Sequence, residues 1–221
     1  MTANVAYRWT PQRFDRAFPR CGGGEDIDFA LRAAPQSLVA VPAAAVTHPL
    51  WPGGAAAAAS RFARWAAGDG ALIDLFPRFA YRAAPSALDL VLLGLALAAA
   101  AAAWRGPAAA AAPLRAAVAV AAAAAAIDVA RDILMPHRRS RAPPALLLPA
   151  ALLAFCFRNA SEAGRAWGHV RRGRWRNLGG ARFDWFCGAD ASVVRRERAQ
   201  SLARAAALLA VAACAWSAAP A

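Results

Sequence analysis

The sequence predicts an α/β segment over residues 1–85 followed by an α-helical transmembrane region. Three observations lead there. Composition shifts near Pro85, from mixed charges, glycines and short apolar runs to long apolar stretches separated by arginine-rich connections. Hydrophobic residues make up 60% of the 221 residues, an excess that excludes a disordered chain. The net charge is +13 and is carried by arginine, since the sequence contains no lysine. The arginine and alanine bias fits GC-rich coding and is not itself read as function.

The first 85 residues divide into short elements. Met1–Arg20 places Arg8, Arg13, Asp15 and Arg16 where a signal peptide would be apolar, so no secretory signal is expected. Val5-Ala6-Tyr7 reads as a short strand, and Phe14 and Phe18 flank a turn. Gly22-Gly23-Gly24 reads as a loop, because glycine adopts backbone conformations closed to other residues. A helix is expected from Glu25-Asp26, with Ile27, Phe29 and Leu31 apolar and Asp28 and Arg32 charged. Carboxylates at a helix N-terminus are stabilised by the macrodipole, which is sufficient reason for the three acids. A carboxylate on a glycine loop can also act as a general base if a substrate hydroxyl reaches it. Ser37–Val41 reads as a second strand, followed by Val46-Thr47-His48. His48 lies 22 residues after Asp26, and a helix-plus-strand return can bring the two to one sheet edge.

Four apolar stretches follow. Ser86–Trp104 has the ~20 residues needed to cross a bilayer, with Asp89 near its end, where a charge costs less. The second, about Leu114 to Val129, is nearly all alanine and valine. The third, Ala145–Phe157, has 13 residues, a length that suits a re-entrant or interfacial segment as readily as a span. The fourth, Ala205–Ala219, is short and rich in alanine. Two to four membrane helices are expected. Buried helices of a soluble protein would need polar faces that these stretches lack.

Pro136–Ala142 holds His137, Arg138, Arg139 and Arg141. Residues 158–200 hold ten arginines and four acids, a net charge of +6. The positive-inside rule places both segments on the cytoplasmic face, which requires the third stretch to be re-entrant or surface-lying. Trp167, Trp175, Phe183, Trp185 and Phe186 alternate with arginine there, as in an interfacial element on anionic lipid. Nucleic acid is the less fitting partner beside so many apolar stretches. The four cysteines, Cys21, Cys156, Cys187 and Cys214, have neither zinc-site nor disulfide-framework spacing. The chain thus divides into 1–85, an α/β segment; 86–157, membrane helices with a basic connection; 158–200, a basic aromatic interfacial loop; and 201–221, a C-terminal membrane helix.

Several ordered motifs carry a resemblance. These are Asn4, Ala6, Tyr7 and Arg8; Phe14, Asp15 and Phe18; and Gly23-Gly24-Glu25-Asp26 with Asp28, Leu31 and Arg32. Val39-Ala40-Val41-Pro42, Val46-Thr47-His48 and Arg61–Gly70 then follow in order. Over roughly 80 residues the chain resembles the second half of the catalytic domain of family 2 glycosyltransferases, which have the GT-A fold. The implied fold class is α/β, an incomplete GT-A-like half domain, followed by an α-helical transmembrane region.

The resemblance implies roles. Asp26 would deprotonate the acceptor hydroxyl in an inverting transfer. Gly23, Gly24 and Glu25 would line the acceptor site. Arg61 and Arg64 would contact the donor diphosphate, since guanidinium forks suit phosphate oxygens. A basic amphipathic helix on the membrane surface is an equally good reading of Arg61, Arg64 and Trp65. Arg64-Trp65 matches the end of the Gln-x-x-Arg-Trp motif of processive synthases, but Arg61 stands where glutamine would be, which argues against processivity. His48 would ligate a divalent metal, Mg²⁺ or Mn²⁺, or contact the diphosphate. The family's Asp-x-Asp metal motif is not present before the glycine loop. The chain therefore reads as the C-terminal part of such an enzyme, inactive alone, with an N-terminal half supplied by a longer chain or a partner.

The expected function is a membrane-bound glycosyltransferase moving sugar from a nucleotide-sugar donor to a lipid-linked or glycan acceptor. The catalytic domain would face the cytoplasm, and nucleic acid is not an expected partner. The alternative is a non-catalytic membrane protein derived from such an enzyme, binding anionic lipid or a partner subunit.

Overall fold

A computed structural model describes residues 13–15, 18, 23–33, 53–134, 143–185, 187–188 and 191–218. The strands expected at Val5–Tyr7 and Ser37–Val41, the motif Asn4–Arg8, the segment Val46–His48 and the basic stretch Pro136–Ala142 lie outside the described residues.

Seven helices, α1 to α7, are described. Helix α1 (Glu25–Ala33) begins at the acidic pair, as expected, with Glu25, Asp26 and Asp28 in its first turn and Arg32 in its last. Each end therefore complements the macrodipole. Asp28 is buried and takes the Arg32 guanidinium in an i,i+4 pair at 2.6 Å. Helices α2 (Gly54–Ala67) and α3 (Asp69–Leu75) meet at Gly68. Its carbonyl accepts the Ala71 and Leu72 N–H groups, so the two helices join without an intervening loop.

A 3-10 turn at Pro77–Phe79 leads into strand β1 (Ala80–Arg82). Its partner is strand β2 (Ala181–Phe183), antiparallel, with Tyr81 opposite Arg182. This pair is the sole sheet among the described residues. The described chain is therefore mostly helical, and it shows no GT-A-like sheet.

The remaining four helices are each long and apolar enough to cross a membrane: α4 (Ala87–Arg105), α5 (Ala111–Leu134), α6 (Pro144–Arg171) and α7 (Ala191–Ser217). Helix α4 starts with a capping box. Ser86 Oγ accepts the Asp89 N–H, and Asp89 Oδ2 accepts the Ser86 N–H at 2.8 Å. Asp89 thus serves the helix start. Ser86→Ala is expected to destabilise the bundle by about 1 kcal/mol. Thermal unfolding in detergent checks this, and an unchanged midpoint would show that the cap contributes nothing. Gly106, at φ 89°, ends α4 in a backbone region that favours glycine, and Pro107 begins the next turn.

The bundle is packed by small residues. On α4 the buried positions are Ala87, Gly94 and Ala98, while Leu92, Leu93, Leu95 and Leu97 are exposed. A soluble helix would bury the leucines, so this inverted arrangement is that of a lipid-facing helix. Gly94 lies against Ala117 and the Pro113 carbonyl, and a side chain there would collide with α5. Helices α5 and α7 run antiparallel. Arg204 pairs with Asp128 at 2.7 Å, and Arg115 donates to the Ala218 carbonyl at 2.9 Å. Ala87, Val120, Ala124 and Leu208 form the bundle core, with Phe155 of α6 packed on it. Exposed Trp104 and Trp216 lie toward the end of the bundle away from β1, as interfacial anchors do.

Residues 158–200 differ from the expected loop. Residues 158–171 continue α6, and 191–200 begin α7. The reason is spacing. Arg158, Glu162, Arg165 and His169 recur every three or four residues and form one helical face with its own partners. Gly164 and Gly168 lie against the backbone of Ala63 and Ala67, so α6 docks closely along α2. The β1–β2 pair then returns the segment after α6 to the end of the bundle where α4 starts. A second core beside that strand pair holds Phe18, Ile27, Leu72, Ile73, Ala181 and Phe183, joining α1, α3 and β2.

Candidate functional site

The glycine loop is held by backbone-to-backbone packing. A side chain at Gly23 would collide with the Trp65 backbone, and one at Gly68 would collide with the Gly23 carbonyl. Gly24 has φ 100°, and its α-carbon faces the Leu72 and Phe18 side chains. The loop and the α2–α3 junction therefore need glycine on both sides of one contact. The Gly24 carbonyl accepts the Asp28 N–H at 2.8 Å, which opens α1.

Asp26 is half-buried in the first turn of α1, and its Oδ1 accepts the Ile27 N–H at 2.8 Å. Glu25 is half-buried beside it, and its Oε2 makes no hydrogen bond among the described residues. Burial, with a further push from the Asp26 charge, raises the Glu25 carboxyl above its ordinary range, although a backbone hydrogen bond opposes the shift. Two adjacent carboxyls thus have different environments, with Asp28 taken up by Arg32.

Arg61 is half-buried and Arg64 exposed, both on the second half of α2. Arg64 directly precedes Trp65, whose backbone lies against Gly23. The structure thus brings Gly23 and Gly24 to the α2 end that carries the two arginines. His48 lies outside the described residues. Among the described residues no group of three or more His, Cys, Asp or Glu side chains could hold a metal ion. The described residues therefore do not supply the divalent-ion site that the resemblance implies.

Sequence reasoning missed the ion-pair network behind this loop. Asp69, the residue after Gly68, is fully buried and takes Arg165 Nε at 2.6 Å. Arg165 also pairs with Glu162 at 2.9 Å, and Glu162 with Arg182 of β2 at 2.8 Å. His169 is 1% exposed and lies beside Gly70. These residues tie the loop-bearing segment to α6 and β2. The signal available for the contact was Gly164-x-x-x-Gly168, the small-residue spacing that allows close helix approach.

A polar cavity of about 390 Å³ opens beyond this network, where the start of α4, the end of α5, the middle of α6 and the first half of α7 meet the strand pair. Its lining includes Arg131, Arg158 and Arg204, grouped around Asp128 and Asp132, then Arg165 and Arg182, paired with Glu162, and Tyr81 with Glu197. Tyr81 donates its hydroxyl to Glu197, and burial followed by that bond pushes its ionisation upward. Comparison of the chain with protein-family models, with curated proteins and with solved structures finds no match.

Proposed function

We propose that the chain is part of a membrane-bound glycosyltransferase that moves sugar from a nucleotide-sugar donor to a lipid-linked or glycan acceptor. The observation that carries this is the packed contact between Gly23 and Gly68, which fixes half-buried Asp26 at a helix start beside the arginine-bearing end of α2. In the proposed step the acceptor oxygen attacks the anomeric carbon while its bond to the nucleoside diphosphate breaks. Asp26 takes the acceptor's proton, and Arg61 and Arg64 meet the leaving diphosphate. Glu25, whose carboxyl burial raises above its ordinary range, lies beside Asp26 to orient the acceptor. The membrane bundle adjoins this segment through the β1–β2 pair, which supports an acceptor delivered from the bilayer. The catalytic part faces the cytoplasm in this reading, because the arginine-rich segment after α6 returns to the end where α4 starts.

The test is Asp26→Asn in membranes from cells expressing the full-length protein, assayed with nucleotide sugars and Mn²⁺. Transfer is expected to fall by about 10²–10⁴-fold, the usual contribution of a general base. Transfer at the unaltered rate would rule out Asp26 as the base. No transfer above that of membranes lacking the protein would leave the second reading, a non-catalytic membrane protein. Exposed Trp167 and Trp175, beside Arg171, Arg172, Arg174 and Arg176, favour anionic lipid as its partner.

A further inference from the structure

We infer that the cavity between the membrane bundle and the strand pair binds the phosphate group of a membrane lipid, with Arg131, Arg158 and Arg204 as its ligands. Three helices meet there. Arg131 comes from α5, Arg158 from α6 and Arg204 from α7, and all three line the same cavity. Two carboxylates stand among them. Asp128 pairs with Arg204 at 2.7 Å and lies 3.8 Å from Arg158, while Asp132 lies 2.7 Å from Arg158 and 3.7 Å from Arg131. Three guanidinium groups against two carboxylates leave one positive charge in excess in this group.

The donors are also incompletely used. Arg158 Nε and Arg204 Nε are buried and make no hydrogen bond among the described residues, while Arg158 Nη2 meets Asp132 at 2.7 Å. Unmade hydrogen bonds on buried cationic groups are costly, and phosphate oxygens are the acceptors that guanidinium forks fit best. Arg165 and Arg182 are taken up by Asp69 and Glu162. The acids Asp184 and Glu197 accept the Gly188 N–H and the Tyr81 hydroxyl. The anion therefore belongs with Arg131, Arg158 and Arg204.

Position selects a lipid as the carrier of that phosphate. Asp128 lies eight residues after Val120, which sits in the apolar bundle core, and Arg204 lies one turn before Leu208 of the same core. The arginines thus cap the apolar part of the bundle at the end where α4 begins, at headgroup depth. Ionisable side chains buried at such a level are expected to serve a ligand. The volume of about 390 Å³ exceeds that of a bare phosphate and leaves room for a headgroup, for whose hydroxyls Asn159 and Gln200 line the cavity as partners.

This inference rests on the membrane-bound part of the proposed function and not on transfer. The experiment measures retention of dioleoyl phosphatidic acid against phosphatidylcholine by the detergent-purified full chain, using native mass spectrometry. The wild type is expected to favour phosphatidic acid by about tenfold or more. The double variant Arg131→Gln/Arg158→Gln is expected to lose that preference with its circular dichroism unchanged. If the double variant fails to fold, Arg131→Gln decides, since that side chain is 45% exposed. A roughly fivefold loss is expected from it. Equal preference in wild type and variants would overturn the assignment. So would binding of inorganic phosphate without retention of the lipid. Retention needs no turnover, so Asp26→Asn should leave it unaltered. Arginine-dependent retention together with no transfer above that of membranes lacking the protein would sink the transferase reading and keep this site.

Discussion

Asp69→Ala is expected to destabilise the protein by about 3–5 kcal/mol, the largest effect of any single change outside the bundle. Asp69 is fully buried, and its partner Arg165 is 14% exposed and held at 2.6 Å. Removing the carboxylate leaves a guanidinium inside the protein with only Glu162 opposite, and Glu162 is shared with Arg182. The thermal midpoint in detergent should fall by about 10 °C. Replacing both partners by apolar residues, Asp69→Leu with Arg165→Met, is expected to restore most of the loss, because the desolvation cost of both charges disappears. A single variant within 1 kcal/mol of wild type would show that the pair is open to water in solution. The pair has a positional consequence too. Asp69 follows Gly68, which touches Gly23, so its loss should loosen the glycine loop before it affects the membrane bundle.

Gly164→Leu and Gly168→Leu are each expected to part α2 from α6. The added β-carbon alone would meet the backbone of Ala63 or Ala67, and backbone cannot rotate away as a flexible side chain can. Overpacking of this kind costs about 1–3 kcal/mol, and more where backbone must shift. The readout is limited proteolysis of α2, expected to speed up about 10–100-fold as the docked helix opens. The far end of the bundle should be unaffected, since α4, α5 and α7 share a separate core. Unchanged cleavage in both variants would mean that α2 is held by other contacts, among them the stacked rings of Phe62 and Phe157 at 5.1 Å.

Much of the architecture was legible from local patterns. The start of α1 could be read from Glu25-Asp26 because carboxylates complement a helix N-terminus. The apolar stretches at 86–104, 114–129, 145–157 and 205–219 pointed to two to four membrane helices, because membrane crossing needs length and low polarity; the third, expected to be re-entrant or surface-lying, instead lies in a 28-residue helix long and apolar enough to cross. Their true bounds were longer. Alanine and arginine are strong helix formers, so α6 and α7 run on through charged segments that looked like loop. The capping box Ser86-x-x-Asp89 is written in residue types too, since serine and a carboxylate three residues on can each accept the other's N–H.

The candidate site divides in the same way. Gly23, Gly24, Glu25 and Asp26 stand out in the sequence by residue type and order, and α1 places them at a helix start. That the loop rests on Gly68 could not be read, because 45 residues separate it from Gly23 and neither residue carries a side chain to signal a partner. The pairing of Tyr81 with Arg182 joins strands of three residues each, too short for any periodicity to reveal.

What the amino-acid order settled was the kind of element at each place: an acidic helix start after a glycine loop, then apolar helices of near-membrane length. What the folded chain alone decided was which charges meet. Asp69 finds Arg165 across 96 residues, and Asp128 finds Arg204 across 76. An ion pair is a matter of distance in space, set by how α3, α5, α6 and α7 pack. Helix periodicity and bilayer length act along the chain, and so they can be read from it.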